Sequence, residues 1–476
     1  MSTTPQTAAV PQQALRDLLD RQRTYAAERA LPTVRQRKRT LRRLADYLDR
    51  PEQKDRLIAA LHQDLRKHEV ETISSELAIV LSHIRTVRAK LGRWAEPERV
   101  ATPLSQTGMR NYVYKEPKGN VLIIAPWNYP LNLTLVPLVY ALAAGCTAVV
   151  KPSEMTPATT AFMSEMIEEL FDAREVYVVQ GDGATAAFLT TLPFDHIYFT
   201  GSPAIGKKVM AAAAPNLTSV TLELGGKSPA VIDETVNLRK SAENTVWGKC
   251  FNAGQTCVAP DYLVVHESIA AEYVAALGAA ITRFYGENPQ TSPDLARIVN
   301  QRHTDRLAGL LEDAVRRGAT VAHGGTVNRA ERYVAPTVLT GVTEEMKIME
   351  EEIFGPLLPV LTYRTLNEAI AIINRRPKAL ALYAQTNEQQ TVCRLLAGTS
   401  SGSAMVNEYI LVAGNPALPF GGVNNSGIGK GGGYHGFVEF TNERAVMERK
   451  FLDLAMVYPP YTDRVKMIVN KIYRWL

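Results

Sequence analysis

The sequence predicts an α/β fold: a doubly wound parallel sheet covered by helices on both faces, joined to a second α/β region. Three observations point there. From residue 119, short and nearly unbroken apolar runs alternate with stretches of helical periodicity, the pattern of parallel strands buried on both faces. After Gly225 and Gly226 the alternation resumes and runs to about Asn407. The chain has 476 residues, 46% hydrophobic and 21% charged, an ordinary soluble composition that is long for one core and suits two or three domains.

Residues 14 to 95 are predicted to be helical. In VRQRKRTLRRLADYLD, Val34, Leu41, Leu44, Ala45 and Leu48 recur at helical spacing. The basic residues Arg35, Arg37, Lys38, Arg39, Arg42 and Arg43 are read as the solvated opposite face. No charged residue occurs from Gly119 to Val150. Pro126, Pro130, Pro137, Asn128 and Asn132 interrupt that stretch, so it is read as strand (NVLIIAP), loop, buried helix (Leu131 to Ala144) and strand (TAVVK) rather than as a membrane span. A helix over Ala158 to Leu170 follows, then strand VYVV, a short helix, strand HIYFT, a helix from about Ile205 to Ala213, and strand SVTLEL. Near the C-terminus, ALPFGGVNNSGIGKGGGYHGF is read as a flexible glycine-rich connection. The tail YTDRVKMIVNKIYRWL is amphipathic, with Val465, Ile468, Ile472 and Trp475 on one side.

A net charge of +5 is weak attraction for a polyanion. No aromatic platform or binding motif accompanies the basic run, so a nucleic-acid partner is not expected. The N-terminus lacks the apolar core of a signal peptide. The cysteines are Cys146, Cys250, Cys257 and Cys393. They form no C-x-x-C pair, and no histidine cluster stands at zinc spacing, so neither a disulfide scaffold nor a metal site is expected. Cys146 and Cys250 are read as packing residues and Cys393 as structural.

Three glycine patterns compete for a cofactor. Gly427-Ile-Gly429-Lys-Gly431-Gly432 matches G-x-G-x-x-G, but no strand precedes it and no βαβ unit has room to follow. Gly201-Ser202-Pro203-Ala204-Ile205-Gly206-Lys207-Lys208 approaches a P-loop, yet Lys208 stands where a hydroxyl should hold Mg²⁺. Its strand–turn–helix context would aim backbone N–H groups at an anion and suits a dinucleotide pyrophosphate; an ordinary strand-to-helix turn is an equal reading. Gly225-Gly226 follows strand SVTLEL, beside Glu223. A carboxylate in an apolar strand is either salt-bridged structure or a functional acid.

The stretch FNAGQTCVAPD places Cys257 after Gly254, Gln255 and Thr256, a small, polar, turn-prone setting unlike the apolar runs that hold structural thiols. Seven segments, in order, then resemble the aldehyde dehydrogenase superfamily over nearly the whole chain: PWNYP (126–130), KPSE (151–154), FTGSPAIG (199–206), ELGGKSP (223–229), NAGQTC (252–257), EEIFGP (351–356) and PFGG (419–422). GQTCVAPDY, YHG and YPPYT are most similar to its class 3 group, which handles fatty and aromatic aldehydes.

The resemblance implies that Cys257 is the nucleophile, that Asn128 supports the oxyanion with the Cys257 backbone N–H, and that Glu223 activates the water that hydrolyses a thioester. Without it, Asn128 is a loop-capping residue. It implies that Gly201, Ser202, Pro203, Ala204, Ile205 and Gly206 hold the pyrophosphate region and that Lys151 and Glu154 meet the adenosine ribose. Glu352 would contact the nicotinamide ribose, with a share in the base role, and Phe354 would flank the ring. By themselves these four are a surface ion pair, a helix-end acid and a core aromatic. Glu154 favours NAD, with NADP also accepted.

The implied architecture is a dinucleotide-binding domain over 1–223 (with part of a small oligomerisation or bridging element near 95–118), a catalytic domain over 224–415, and a C-terminal loop, bridging element and tail over 416–476. The implied activity is NAD(P)-dependent oxidation of a medium- or long-chain aliphatic or aromatic aldehyde to the carboxylic acid. Tyr129, Leu133 and Trp247 would line an apolar tunnel. A CoA-acylating enzyme and a catalytically silent homologue are the alternatives; the presence of Glu223 argues against the first, and retention of Cys257, Glu223 and Asn128 against the second. A cytoplasmic homodimer is expected, with the tail packing on a partner, closing the funnel or lying on a membrane surface. Two departures stand out: Pro203 where many members have threonine, and extra glycines in GIGKGGGYHG.

Overall fold

The apolar runs of residues 120–224 become the parallel core of a six-stranded sheet in the computed structural model, which describes residues 11–451 and 454–474. Across the sheet the strands lie in the order Gly427–Ile428, Ser219–Leu224, His196–Gly201, Asn120–Ile124, Thr147–Lys151, Val176–Val178. All neighbours are parallel except Gly427–Ile428, which pairs antiparallel with Ser219–Leu224. Asn120–Ile124 and Thr147–Lys151 are buried at every position, which explains why no alternation shows in their sequences. The chain leaves Asn120–Ile124 toward one side of the sheet and later returns on the other. The crevice at that reversal is where open α/β sheets bind ligands. The loop carrying Asn128 and the turn after Gly201 both open there.

The uncharged stretch folds as expected. Helix Asn132–Ala144 is buried around most of its circumference, with Pro137 inside it, and among the described residues no helix is long and apolar enough to cross a membrane.

The second sheet has seven strands in the order Thr320–His323, Thr337–Thr340, Leu357–Tyr363, Tyr262–His266, Pro229–Ile232, Ala379–Gln385, Ser401–Val406. Only the first of these runs antiparallel to its neighbour. A third, antiparallel sheet joins Glu98–Val100, Met109–Pro117 and Thr441–Arg449.

Three readings change. Arg37 is not on a solvated face: it is buried, and its Nη1 donates to the carbonyls of Ala143 at 2.6 Å and Ala144 at 3.2 Å. Those are terminal acceptors of helix Asn132–Ala144, which a cation satisfies. The glycine-rich segment is not a loose connection, because it supplies an edge strand of the first sheet and a Phe420–Gly431 bridge. Cys393 is exposed, on helix Gln389–Gly398. In helix Asp463–Tyr473 no residue is fully buried; Val465 and Ile468 are half-buried and Ile472 is exposed, while Trp475 lies outside the described residues.

Candidate active site

Cys257 sits on a loop that the chain reaches through an unusual reversal. Helix Leu238–Cys250 ends, and Asn252, Ala253 and Gly254 follow with φ of 54°, 54° and 75°. Such left-handed backbone is costly for side-chain-bearing residues and persists where surroundings enforce it. Three features enforce it here. Glu71 Oε2 accepts the Asn252 N–H at 3.0 Å. The Gln255 amide donates to the carbonyls of Asn252 and Arg297, both at 3.0 Å, while its Oε1 accepts the Val299 N–H at 2.9 Å. Gly254 passes so close to its neighbour that a Cβ there would lie 2.4 Å from the Gly355 carbonyl oxygen.

Asn128 comes to the same loop from the first sheet. Its Nδ2 donates to the Gln255 carbonyl at 3.0 Å, and its own carbonyl accepts from Asn252 Nδ2 at 2.8 Å and from Lys67 Nζ at 3.3 Å. Lys67 is fully buried and paired with Glu76 at 3.0 Å. The neighbouring Tyr129 and Thr256 hydroxyls bond at 2.5 Å.

Glu223 ends its strand in the interior. Its Oε1 accepts the Gly431 N–H at 3.3 Å and the Tyr198 hydroxyl at 3.4 Å; its Oε2 has no hydrogen-bond partner among the described residues. Burial pushes the carboxyl up to about 8, against the Gly431 N–H, the Lys430 charge and the Tyr198 hydroxyl. Burial, followed by the charges of Glu352 and Glu223, pushes the Cys257 thiol up to about 12.

The close approach read at Gly225 has an occupant: a Cβ there would fall 2.1 Å from Glu352 Oε2. Burial raises the Glu352 carboxyl to about 8, and Asp261 reinforces the shift. The loop carrying Glu352 is pinned by Lys227, which is ion-paired with Asp261 and donates to the carbonyls of Ile348 at 2.8 Å and Glu351 at 2.9 Å. Asp261 accepts the Ile353 N–H at 2.9 Å. Phe354, at φ 49°, packs edge-on against Trp127 with centroids 5.3 Å apart.

One cavity of about 700 Å³ joins these groups. Cys257, Glu223 and Asn128 line it, as do Gly201, Ser202, Pro203, Ala204, Glu352 and Phe354, and the expected tunnel residues Tyr129, Leu133 and Trp247. Lys151, Glu154, Ile205 and Gly206 are not part of its lining. Lys151 is buried and paired with the more exposed Glu154 at 3.2 Å, beyond the strand end. Ile205 points to solvent, 45% exposed. Gly206 serves packing, since a Cβ there would meet Leu224 at 2.7 Å. Cys146 and Cys250 are buried as expected, their thiols raised by burial to about 11 and 12.

Sequence reasoning missed Tyr198, Lys227, Gln255 and Asn252 as site residues. Tyr198 lay in HIYFT, read only as a strand; its signal was a hydroxyl at the two-residue spacing that faces Glu223. The other three sat inside quoted motifs. Among the described residues no cluster of three or more histidine, cysteine or carboxylate side chains is arranged to hold a metal ion.

Comparison with known proteins identifies the family. Residues 7–446 match the aldehyde dehydrogenase family. The chain is 44% identical over 413 residues to a 4,4'-diaponeurosporen-aldehyde dehydrogenase of Staphylococcus aureus, covering 87% of this chain and 89% of the relative. It is 45% identical over 417 residues to human aldehyde dehydrogenase family 3 member B1, covering 87% and 88%. Among solved structures, the substrate-bound state of Staphylococcus aureus AldH superposes with a TM-score of 0.91 at 40% identity, covering 96% and 99%. The NAD⁺ complex of a Bacillus cereus aldehyde dehydrogenase superposes with a TM-score of 0.85 at 28% identity, covering 93% and 90%. The chain thus belongs to the aldehyde dehydrogenase family, among its class 3 relatives, and is an oxidoreductase that acts on aldehydes with a nicotinamide dinucleotide.

Proposed function

We propose that the chain oxidises medium- or long-chain aliphatic or aromatic aldehydes to carboxylic acids through a thioester on Cys257. The observation that carries this reading is that Cys257, Glu223 and Asn128 line one cavity. The Cys257 sulfur adds to the aldehyde carbon as thiolate, after its proton passes to a carboxylate of the pair Glu223 and Glu352 that flanks it. The oxygen of the resulting thiohemiacetal takes hydrogen bonds from the Asn128 amide and the Cys257 backbone N–H. The carboxylate that took the thiol proton releases it to solvent, and Glu223, ionised, then draws a proton from water, which hydrolyses the thioester. The apolar wall formed by Leu133, Val136, Trp247, Phe251 and Ile410 suits a hydrocarbon chain or ring.

The residues present fit a dinucleotide. Gly201, Ser202, Pro203 and Ala204 border the cavity at the start of helix Pro203–Ala213, and the Ser202 carbonyl takes the N–H groups of Ile205 at 3.1 Å and Gly206 at 2.9 Å. That leaves the Ala204 N–H to face an anion, since Pro203 has none. Glu352 and Phe354 line the same cavity as Cys257, for the nicotinamide ribose and ring. Lys151 and Glu154 lie at the end of strand Thr147–Lys151, two strands across the sheet from Gly201, for the adenosine ribose, where the Glu154 carboxylate favours the free hydroxyl of NAD over NADP. When bound, the dinucleotide would supply a hydride acceptor, which carries the thiohemiacetal to the thioester.

On this reading residues 1–223 serve the dinucleotide, 224–415 carry the nucleophile, and 416–476 with 95–118 bridge to a second copy in a homodimer, which works in the cytoplasm or at a membrane surface. The test is nicotinamide absorbance with purified protein, NAD⁺ or NADP⁺, and aldehydes from acetaldehyde to decanal and benzaldehyde, without CoA. Reduction by wild type and none by Cys257→Ala supports the reading. Reduction only when CoA is added refutes hydrolysis as the final step.

A further inference from the structure

The two oxygens of Glu223 have different surroundings. Oε1 accepts from the Gly431 N–H at 3.3 Å and the Tyr198 hydroxyl at 3.4 Å, whereas Oε2 has no hydrogen-bond partner among the described residues. Tyr198 pairs with Thr221, and Thr200 with Glu223, on adjacent parallel strands. Tyr198 and Glu223 are therefore diagonal neighbours on one face of the sheet. The Tyr198 ring stacks on Phe440 with centroids 5.6 Å apart and planes 16° apart, which fixes the direction of its hydroxyl. The glycine-rich segment opposite is shaped around this group. A Cβ at Gly431 would fall 2.7 Å from the Tyr198 oxygen and 3.4 Å from Glu223 Oε1, and a Cβ at Gly421 would lie 3.0 Å from Oε1. Packing on Phe440 needs only the ring, so the stacking does not account for the hydroxyl.

We propose that Tyr198 is a positioning residue which, with the Gly431 N–H, holds Oε1 of Glu223 so that Oε2 alone receives the proton of the hydrolytic water. The inference rests on the reading of Glu223 as the base. In the step, the water oxygen bonds to the thioester carbon and its proton goes to Oε2. The C–S bond breaks with its electron pair on Cys257 sulfur. The proton on Oε2 then restores the thiol, and the product acid releases its own proton to solvent. An oxygen already accepting two hydrogen bonds is the poorer proton acceptor, so the arrangement selects one atom and one direction of approach.

Glu223 is faced by Tyr198 from the adjacent strand, by Lys430 and Gly431 from the glycine-rich segment, by Glu439 from helix Gly433–Glu439, and by Cys257 from its loop. Lys430 is engaged with the carbonyls of Gly421 and Gly422. Tyr198 is thus the one neutral side chain in that set that donates to the carboxylate, and removing its hydroxyl leaves the ionised form less stable.

The test is Tyr198→Phe, with Glu223→Gln in parallel, in a stopped-flow first turnover followed by decay of the acyl-enzyme across pH 6 to 10. Tyr198→Phe is expected to keep the amplitude of the first-turnover burst. Its acyl-enzyme decay should slow about tenfold at neutral pH, and the acid limb of that decay should move up by about one pH unit. An unshifted limb, whether the rate is unchanged or uniformly lowered as by a purely structural defect, overturns the inference. Decay in Glu223→Gln at the wild-type rate removes the base reading itself. Slow decay in Glu223→Gln beside wild-type behaviour in Tyr198→Phe overturns the role of Tyr198 alone.

Discussion

The amide nitrogen of Asn128 lies 3.0 Å from the carbonyl oxygen of Gln255, two residues before Cys257. One bond thereby ties the first loop of the six-stranded sheet to the loop that carries Cys257. It uses one Nδ2 hydrogen and leaves the second for an oxyanion. Asn128→Ala loses both. Its kcat is expected to fall roughly 10²- to 10³-fold, the usual effect of deleting one oxyanion donor, and the protein should lose about 1 kcal/mol of stability from the broken loop tie. Steady-state rates beside thermal melts check this.

The Glu223 carboxyl, raised by burial to about 8, carries a sign that can be read in stability. Its folded pKa lies above the unfolded value, so its favourable contribution is complete below about 4.5 and is lost as pH rises through about 8. Glu223→Gln removes the penalty of ionising a buried group. Its melting temperature should match wild type near pH 5 and exceed it at pH 9, in differential scanning calorimetry. The opposite order at pH 9 would mean that the carboxylate is well solvated.

Activity carries the same group in the other direction. Hydrolysis needs the ionised base, so kcat is expected to rise with pH through about 8 where hydrolysis limits turnover. In Glu223→Gln this limb should vanish from a pH–rate profile, leaving a low, flat rate.

Lys227 and Asp261 form a buried pair that pins the loop bearing Glu352. Lys227→Met strands the Asp261 charge and frees the loop. It should cost about 3–5 kcal/mol of stability, and in protein that remains folded it should raise KM for the dinucleotide more than KM for the aldehyde. Equal changes in the two constants would argue that the loop does not serve the dinucleotide.

Trp247 packs edge-on against Phe251 with centroids 5.5 Å apart, both in the cavity wall. Trp247→Ala is expected to lower the ratio of kcat/KM for decanal over acetaldehyde by about tenfold, since pocket contacts with a few methylenes contribute on that scale. A competition assay with both aldehydes reads the ratio directly.

Much of this was legible in the sequence because the signals were local. Uninterrupted apolar runs marked Asn120–Ile124 and Thr147–Lys151, and breakers at Pro126 and Pro130 marked the loop of Asn128. What the sequence hid were relationships across long separations. Arg37 looked like any arginine of a basic face until helix Asn132–Ala144 ended against it. Gly431 looked like part of a flexible run until its segment became an edge strand beside Glu223. Ile205 and Gly206 fell inside a phosphate-like turn, yet the rotation of helix Pro203–Ala213 points one to solvent and the other to Leu224. A helix sets those directions by its packing, which turn spacing alone does not contain.

The most direct measurement is the intact mass of Glu223→Gln after incubation with NAD⁺ and decanal, followed by peptide mapping. An acyl group accumulating on the peptide that contains Cys257, with one nicotinamide reduced per acyl group, is the expected result: the oxidation completes and hydrolysis stalls. Full turnover to decanoic acid with no acyl adduct on Cys257 would contradict the assignment of Glu223 as the base that releases the product.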